Sequence, residues 1–293
     1  MFYFHSKLLF KIRSQYRRIP FFLLLCPLLL SHSLSAPIEP IKPIVPTVPN
    51  SATYQWKHRV DVPLLATALG ATLGAHLKFQ SLKTPSPSEW KGVSLLPLDR
   101  PYKGVYSRTA ADWSNYLSLT AAAPLMISGI SGYPTKNFKP LWIDFVMLTE
   151  ALSLSSALNL WVRASLLKPR PFVYSAQAPT VDKNKPEAFH SFYSGHSSAA
   201  FLVATFTGTT FQHRHPKSRW VPWVWTGSMT LASSIAGLRV WAGKHYPTDI
   251  LVGALVGSAF GYLIPQLHQH REKRGLSLNI SPKTASVQAY LKW

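Results

Sequence analysis

The sequence predicts an all-α protein, a polytopic membrane bundle of about six helices. Three observations carry that prediction. Only 14% of the 293 residues are charged, whereas 47% are hydrophobic and ten are Trp. Apolar runs of helical length recur along the chain, each near the length that crosses a bilayer. No segment keeps the alternation of a strand for long.

The formal charge is 31 − 11 = +20, which first suggests a nucleic acid or an anionic membrane surface as partner. The high hydrophobicity excludes a disordered basic tail. The bases are spread over helix ends and form no stripe on a soluble face, so no nucleic acid is expected. The excess reflects a shortage of acids more than an abundance of bases, which suits a membrane protein. One cysteine, Cys26, rules out a disulfide framework and any Cys-based zinc site.

The elements follow in chain order. Residues 1–36 combine five bases and no acid in the first eighteen positions with an apolar run from Ile19 to Leu30 and small residues at Ser35 and Ala36. That is a signal peptide or an N-terminal membrane anchor. Residues 37–53 place Pro at 37, 40, 43, 46 and 49, the period of polyproline II, and form a linker. The bundle is expected over 54–270, with helices at about 62–78, 115–132, 141–167, 197–212, 220–237 and 249–265. Residues 271–293 are left as a tail. Two small-residue stripes, Ala66/Gly70/Gly74 and Gly253/Gly257/Gly261, predict close helix packing. Trp220, Trp223 and Trp225 beside Arg219 predict an interfacial belt.

Three polar stretches fall at predicted helix ends. Arg163 lies about one turn inside the end of the third helix, and Arg170 follows Pro169, which cannot continue it. Two guanidiniums can thus reach one anion from different directions. Ser194-Gly195-His196 opens the fourth helix, where free N–H groups and the helix dipole favour an anion. Arg239 closes the fifth helix, and His245 and Asp249 precede and open the sixth. Asp249 can accept the proton-bearing nitrogen of His245, leaving the other nitrogen as a free lone pair. Between Glu187 and Glu272 it is the only acid, so it needs a cationic partner or a role. Helix alternation puts all of these groups at one membrane face. The site needs no metal, because the sequence offers it no carboxylate cluster for Mg²⁺, and no cofactor is expected.

These motifs resemble the type 2 phosphatidic acid phosphatase superfamily, whose pattern is K-x6-R-P, P-S-G-H and S-R-x5-H-x3-D. The matches are Arg163-x6-Arg170-Pro171, Ser194-Gly195-His196 and Arg239-x5-His245-x3-Asp249, with all spacings kept. Arg163 stands for Lys, Tyr193 for Pro and Leu238 for Ser. Lys168 lies outside the pattern and is not assigned to the site. The resemblance implies a lipid phosphate or diphosphate as substrate. His245 would attack phosphorus to give a phosphohistidine, oriented by Asp249, and His196 would serve as acid and then base. Arg163, Arg170, Arg239 and the amides near Ser194 and Gly195 would bind phosphate. The rival readings are a vanadate-dependent haloperoxidase-like enzyme and a non-catalytic binder of lipid headgroups.

The basic stretch from His213 to Arg219, with Arg271, Lys273 and Arg274, lies opposite the site and predicts a cytoplasmic face. Segment 62–78 is short, and without it the site faces outward. The expected location is a bacterial-type inner membrane, with the site towards the periplasm or outside.

Overall fold

The computed structural model describes residues 54–119, 126, 136–269, 280–281 and 284–285. The expected targeting segment, the Pro-rich linker, most of 120–132 and most of the tail lie outside these residues. Within them the fold is helical, apart from a two-residue antiparallel pair, Ile280–Ser281 with Thr284–Ala285.

Among the described residues five long helices make the bundle: α1 (His58–Gln80), α4 (Lys139–Ser165), α6 (Gly195–Arg214), α7 (Val221–Trp241) and α8 (Pro247–His268). Three shorter ones, α2 (Pro87–Lys91), α3 (Arg108–Ser118) and α5 (Thr180–Lys183), lie in the connections. Local chemistry sets the boundaries. Pro140, Pro222 and Pro247 stand in the first turns of α4, α7 and α8, where a missing N–H costs no intrahelical bond. The α4 helix stops at Ser165 and Leu166 is already extended, three residues before Pro169. At the head of α6 the Ser194 side chain accepts the Ser197 N–H at 3.3 Å, an N-cap bond.

The α6 helix is central, packing against α8, α7 and α4, while α1 rests on α4 and α3 on α7. The apolar core of Ile143, Met147, Leu148, Ala151, Leu202, Phe206 and Ile264 joins α4, α6 and α8. Outside it the polarity is inverted. Leu69, Leu73 and Leu77 of α1, Trp142 and Trp161 of α4, and Leu255 and Leu263 of α8 face outward. Asp61, Asp144, Glu150 and Asn159 are buried instead. Apolar outside and polar inside is the arrangement that lipid, not water, rewards. Among the described residues three helices, α1, α4 and α8, are long and apolar enough to cross a membrane. Segment 62–78, expected to be short, is therefore part of a 23-residue helix of spanning length.

One glycine stripe packs as predicted and the other does not. A Cβ on Gly257 would lie 2.0 Å from the Ser198 carbonyl oxygen, and one on Gly261 2.3 Å from that of Leu202. The α8 backbone thus lies directly on α6. By contrast, Ala66 and Gly70 are exposed, and nothing approaches within 4 Å of a Cβ built on Gly70. The α1 helix instead turns Ala68, Thr72 and Ala75 inward, and Thr72 Oγ1 donates to the Ser153 carbonyl at 3.1 Å. Trp220 and Trp223 are exposed, as a belt requires, but Trp225 folds back onto Gly208 and donates to Gln212 Oε1 at 2.9 Å.

Candidate active site

The bundle ends that carry Arg163, Ser194, Arg239 and Asp249 meet on one side, under a cap of connecting loops. The cap has its own small core of Phe172, Val173, Ala188 and Phe189, with Trp90 packed against it. Within it, residues 168–171 run alongside 188–191: Lys168 N donates to the Phe189 carbonyl, Arg170 N to that of Ala188, and Ser191 N to that of Lys168. This short parallel pairing fixes Arg170 and Lys168 against Ser191. Gly243 closes the cap from the other side. Its φ is +68°, and a Cβ there would lie 1.8 Å from the Val105 carbonyl oxygen, so no other residue fits this turn.

His245 sits in that turn, just before α8, and is 2% exposed. Its Nδ1 donates to the Ser191 carbonyl at 2.9 Å. The Asp249 carboxylate, expected to be the acceptor, is farther away, with Oδ2 at 3.8 Å. The backbone carbonyl is nearer because α8 starts at Pro247, so His245 precedes the helix and is not one helical turn from Asp249. The expected tautomer survives: a proton on Nδ1 leaves the Nε2 lone pair free. Burial pushes His245 down to about 3, and Arg170 and Arg239 push the same way, so the ring is neutral around pH 7.

Asp249 is fully buried and held on every side. Its Oδ2 accepts from Ser191 Oγ at 2.5 Å and from the Tyr246 N–H at 2.9 Å, and its Oδ1 accepts from Lys168 Nζ at 2.6 Å. Lys168 also donates to Asp99 Oδ2 at 2.8 Å and to Thr248 Oγ1 at 2.9 Å. Sequence reading set Lys168 aside and missed Asp99, Ser191 and Asn159. The shortage of acids was the available signal, since a lone buried Asp249 required a cation.

The three arginines lie within electrostatic reach of His196. Arg170 is pushed down by burial first and then by Arg163 and Arg239, a repulsion that a bound anion would relieve. Arg239 is 5% exposed, and its Nη1 donates to Ser114 Oγ at 3.0 Å and Asn115 Oδ1 at 3.1 Å. Arg163 Nε donates to the His190 carbonyl at 3.1 Å. The Nε atoms of Arg170 and Arg239 are buried without a hydrogen-bond partner. At the head of α6, Asn159 Nδ2 donates to the Tyr193 carbonyl at 2.7 Å, and a Cβ on Gly195 would meet Asn159 Oδ1 at 2.8 Å. Asn159 therefore shapes the loop in which Tyr193 stands for Pro.

Residues 144–273 match the family model of the PAP2 superfamily. This stretch belongs to that superfamily. The PAP2 stretch holds every residue of the three motifs. A relative from Schizosaccharomyces pombe (strain 972 / ATCC 24843), named "Probable diacylglycerol pyrophosphate phosphatase 1", is 33% identical over 108 residues. Those residues are 33% of this chain and 39% of the relative, so the chain spans well under half of that protein. No solved structure matches the chain. A fungal relative gives the expected bacterial-type inner membrane no support.

Proposed function

We propose that the chain is a membrane phosphatase that hydrolyses a lipid phosphate or diphosphate without a catalytic metal. The observation that carries this reading is the neutral, buried His245 with Nε2 free, placed among three arginines and His196. His245 Nε2 attacks phosphorus in line and forms a phosphohistidine. The Ser191 carbonyl and Asp249 stabilise the imidazolium that develops, since one carries a partial negative charge and the other a full one. His196 protonates the leaving oxygen and then activates water for the second step. Arg163, Arg170, Arg239 and the N–H groups near Ser194 and Gly195 hold the nonbridging oxygens as charge shifts.

A groove between α4 and α6 supports a lipid substrate. It is lined by Leu152, Ser155, Asn159 and Leu160 on one side and by Gly195, Ser198 and Ala199 on the other. It runs from the phosphate-binding end of α6 along the bundle wall, where an acyl or prenyl chain would lie. The name of the fungal relative points to the same substrate class. Residues 54–270 are the phosphatase bundle in this proposal, preceded by a targeting segment and linker and followed by a tail. The basic loop from His213 to Arg219 lies at the end of α6 opposite the site, a charge bias that favours a site facing away from the cytoplasm, but the spanning length of α1 removes the short segment on which the outward-facing count rested.

Phosphate release from a panel of phosphatidate, diacylglycerol pyrophosphate and isoprenoid diphosphate, with EDTA present, tests the proposal. His245→Ala should abolish release from every active lipid while the protein still folds. Near-normal turnover in that variant would sink the mechanism, and headgroup binding without turnover in the parent protein would favour the non-catalytic reading.

A further inference from the structure

A second polar cluster lies at the opposite end of the bundle. Asp61 comes from the first turn of α1, Glu150 from the middle of α4 and His268 from the last residue of α8. Their relative exposures are 0%, 0% and 1%. The end of α8 and the entry to α1 are stitched together around them: Gln55 N donates to the His268 carbonyl at 3.0 Å, and Lys57 Nζ to that of Leu267 at 2.7 Å. Lys57 thus spends its ammonium on backbone oxygens and not on the two carboxylates.

Four donor atoms point into this cluster without a hydrogen bond of good geometry: Asp61 Oδ1, Glu150 Oε1, Glu150 Oε2 and His268 Nε2. The other Asp61 oxygen accepts the Lys57 N–H at 2.5 Å, and His268 Nδ1 donates to the Ile264 carbonyl at 2.9 Å. Asp61 and His268 are therefore oriented from behind, and the imidazole presents Nε2 inward, as second-sphere bonds do at metal sites. His268 Nε2 lies 3.0 Å from Asp61 Oδ1 and 3.2 Å from Glu150 Oε2. Nitrogen and oxygen donors at ~2.0–2.2 Å from a tetrahedral ion stand roughly 3.3 Å apart, close to that spacing.

We infer that Asp61, Glu150 and His268 form a buried site for one divalent cation of the zinc or manganese class. Charge argues in the same direction. Two carboxylates and one neutral imidazole carry −2 in an apolar bundle, and a +2 ion cancels it where burial makes uncompensated charge costly. A mixed nitrogen and oxygen donor set suits Zn²⁺ or Mn²⁺ better than Mg²⁺, which prefers oxygen alone. With one oxygen each from Asp61 and Glu150 and Nε2 of His268, the chain would supply three tetrahedral positions and leave the fourth to water. The ion would fasten α1, whose fully buried apolar residues are Ala68 and Ala75, to α4 and α8. It would be structural and remote from His245.

The test is metal content of the full-length chain purified in detergent. After equilibration with Zn²⁺ or Mn²⁺ and gel filtration, elemental analysis should find close to one ion per chain. Glu150→Gln keeps the side-chain shape, and it and His268→Ala should each reduce the content to near zero. EDTA should lower the unfolding temperature of the parent protein, and the same metal should restore it. A parent chain that holds neither ion, with an unfolding temperature indifferent to EDTA and metal, overturns the inference and leaves a proton shared between imidazole and carboxylates. That result needs no variant to fold and is independent of phosphatase activity.

Discussion

Lys168 Nζ lies 2.6 Å from Asp249 Oδ1, a buried ion pair that joins the cap of the site to the head of α8. The same ammonium holds Asp99 at 2.8 Å, so one cation ties two fully buried carboxylates from distant parts of the chain. Asp249 is therefore held by Lys168 while it faces His245.

Lys168→Ala should lower kcat roughly 10²-fold with little change in KM, because a small displacement of Asp249 and Ser191 misplaces His245, the proposed nucleophile. Lys168→Arg should recover part of the loss. A drop in unfolding temperature with kcat unchanged would mean that the pair is only structural.

Acid should destabilise the fold through His245. Its folded value, about 3, lies below the ordinary 6.5, so the unfolded chain binds a proton that the folded chain refuses. The stabilisation is complete above about pH 6.5 and is lost as pH falls towards 3, on the order of a few kcal/mol. Unfolding temperatures in detergent between pH 7.5 and 4.5 should fall less steeply for His245→Asn than for the parent.

The two glycine stripes should respond in opposite ways. Gly257→Ala forces a methyl group against the Ser198 backbone and should sharply reduce folded yield. Gly70→Ala meets nothing and should be neutral or stabilising by about 0.5–1 kcal/mol, because Gly is a poor helix former. Detergent gel filtration and thermal melts would read both.

Arg214 Nη1 and Nη2 donate to the two Asp144 oxygens at 2.6 Å each, and Asp144 is fully buried. Arg214→Ala should cost about 3–5 kcal/mol by leaving that carboxylate without its fork. Adding Asp144→Asn should recover part of the loss. An additive double variant, measured by thermal unfolding, would show that the pair is not coupled.

Much of this layout was legible because helix length, Pro punctuation and the motif spacing are local. Boundaries at Pro140, Pro222 and Pro247 need only a few residues of context, and Gly253, Gly257 and Gly261 announce their packing by period. The stripe at Ala66, Gly70 and Gly74 misled for the converse reason: period shows that small residues share a face, not which face meets a neighbour. The roles of Lys168, Asp99 and Asn159 were not legible, since their partners are 81, 69 and 34 residues away in sequence. The same holds for Asp61, Glu150 and His268, which no spacing rule connects. The nearer acceptor for His245, the Ser191 carbonyl, was not legible either, since it lies 54 residues away in sequence.

The contact of α8 with α6 has a consequence for how substrate preference can change. Where backbones touch at Gly257 and Gly261, no side chain stands between the helices to be enlarged or trimmed. The separation of His196 from the turn carrying His245 is thus a fixed dimension of the scaffold. Under the proposed function, variation that adapts the chain to a new lipid has to enter elsewhere, through the α4 wall at Leu152 to Leu160 or the loops of the cap. Directed evolution restricted to those two regions would explore specificity while leaving the spacing of the reacting groups untouched.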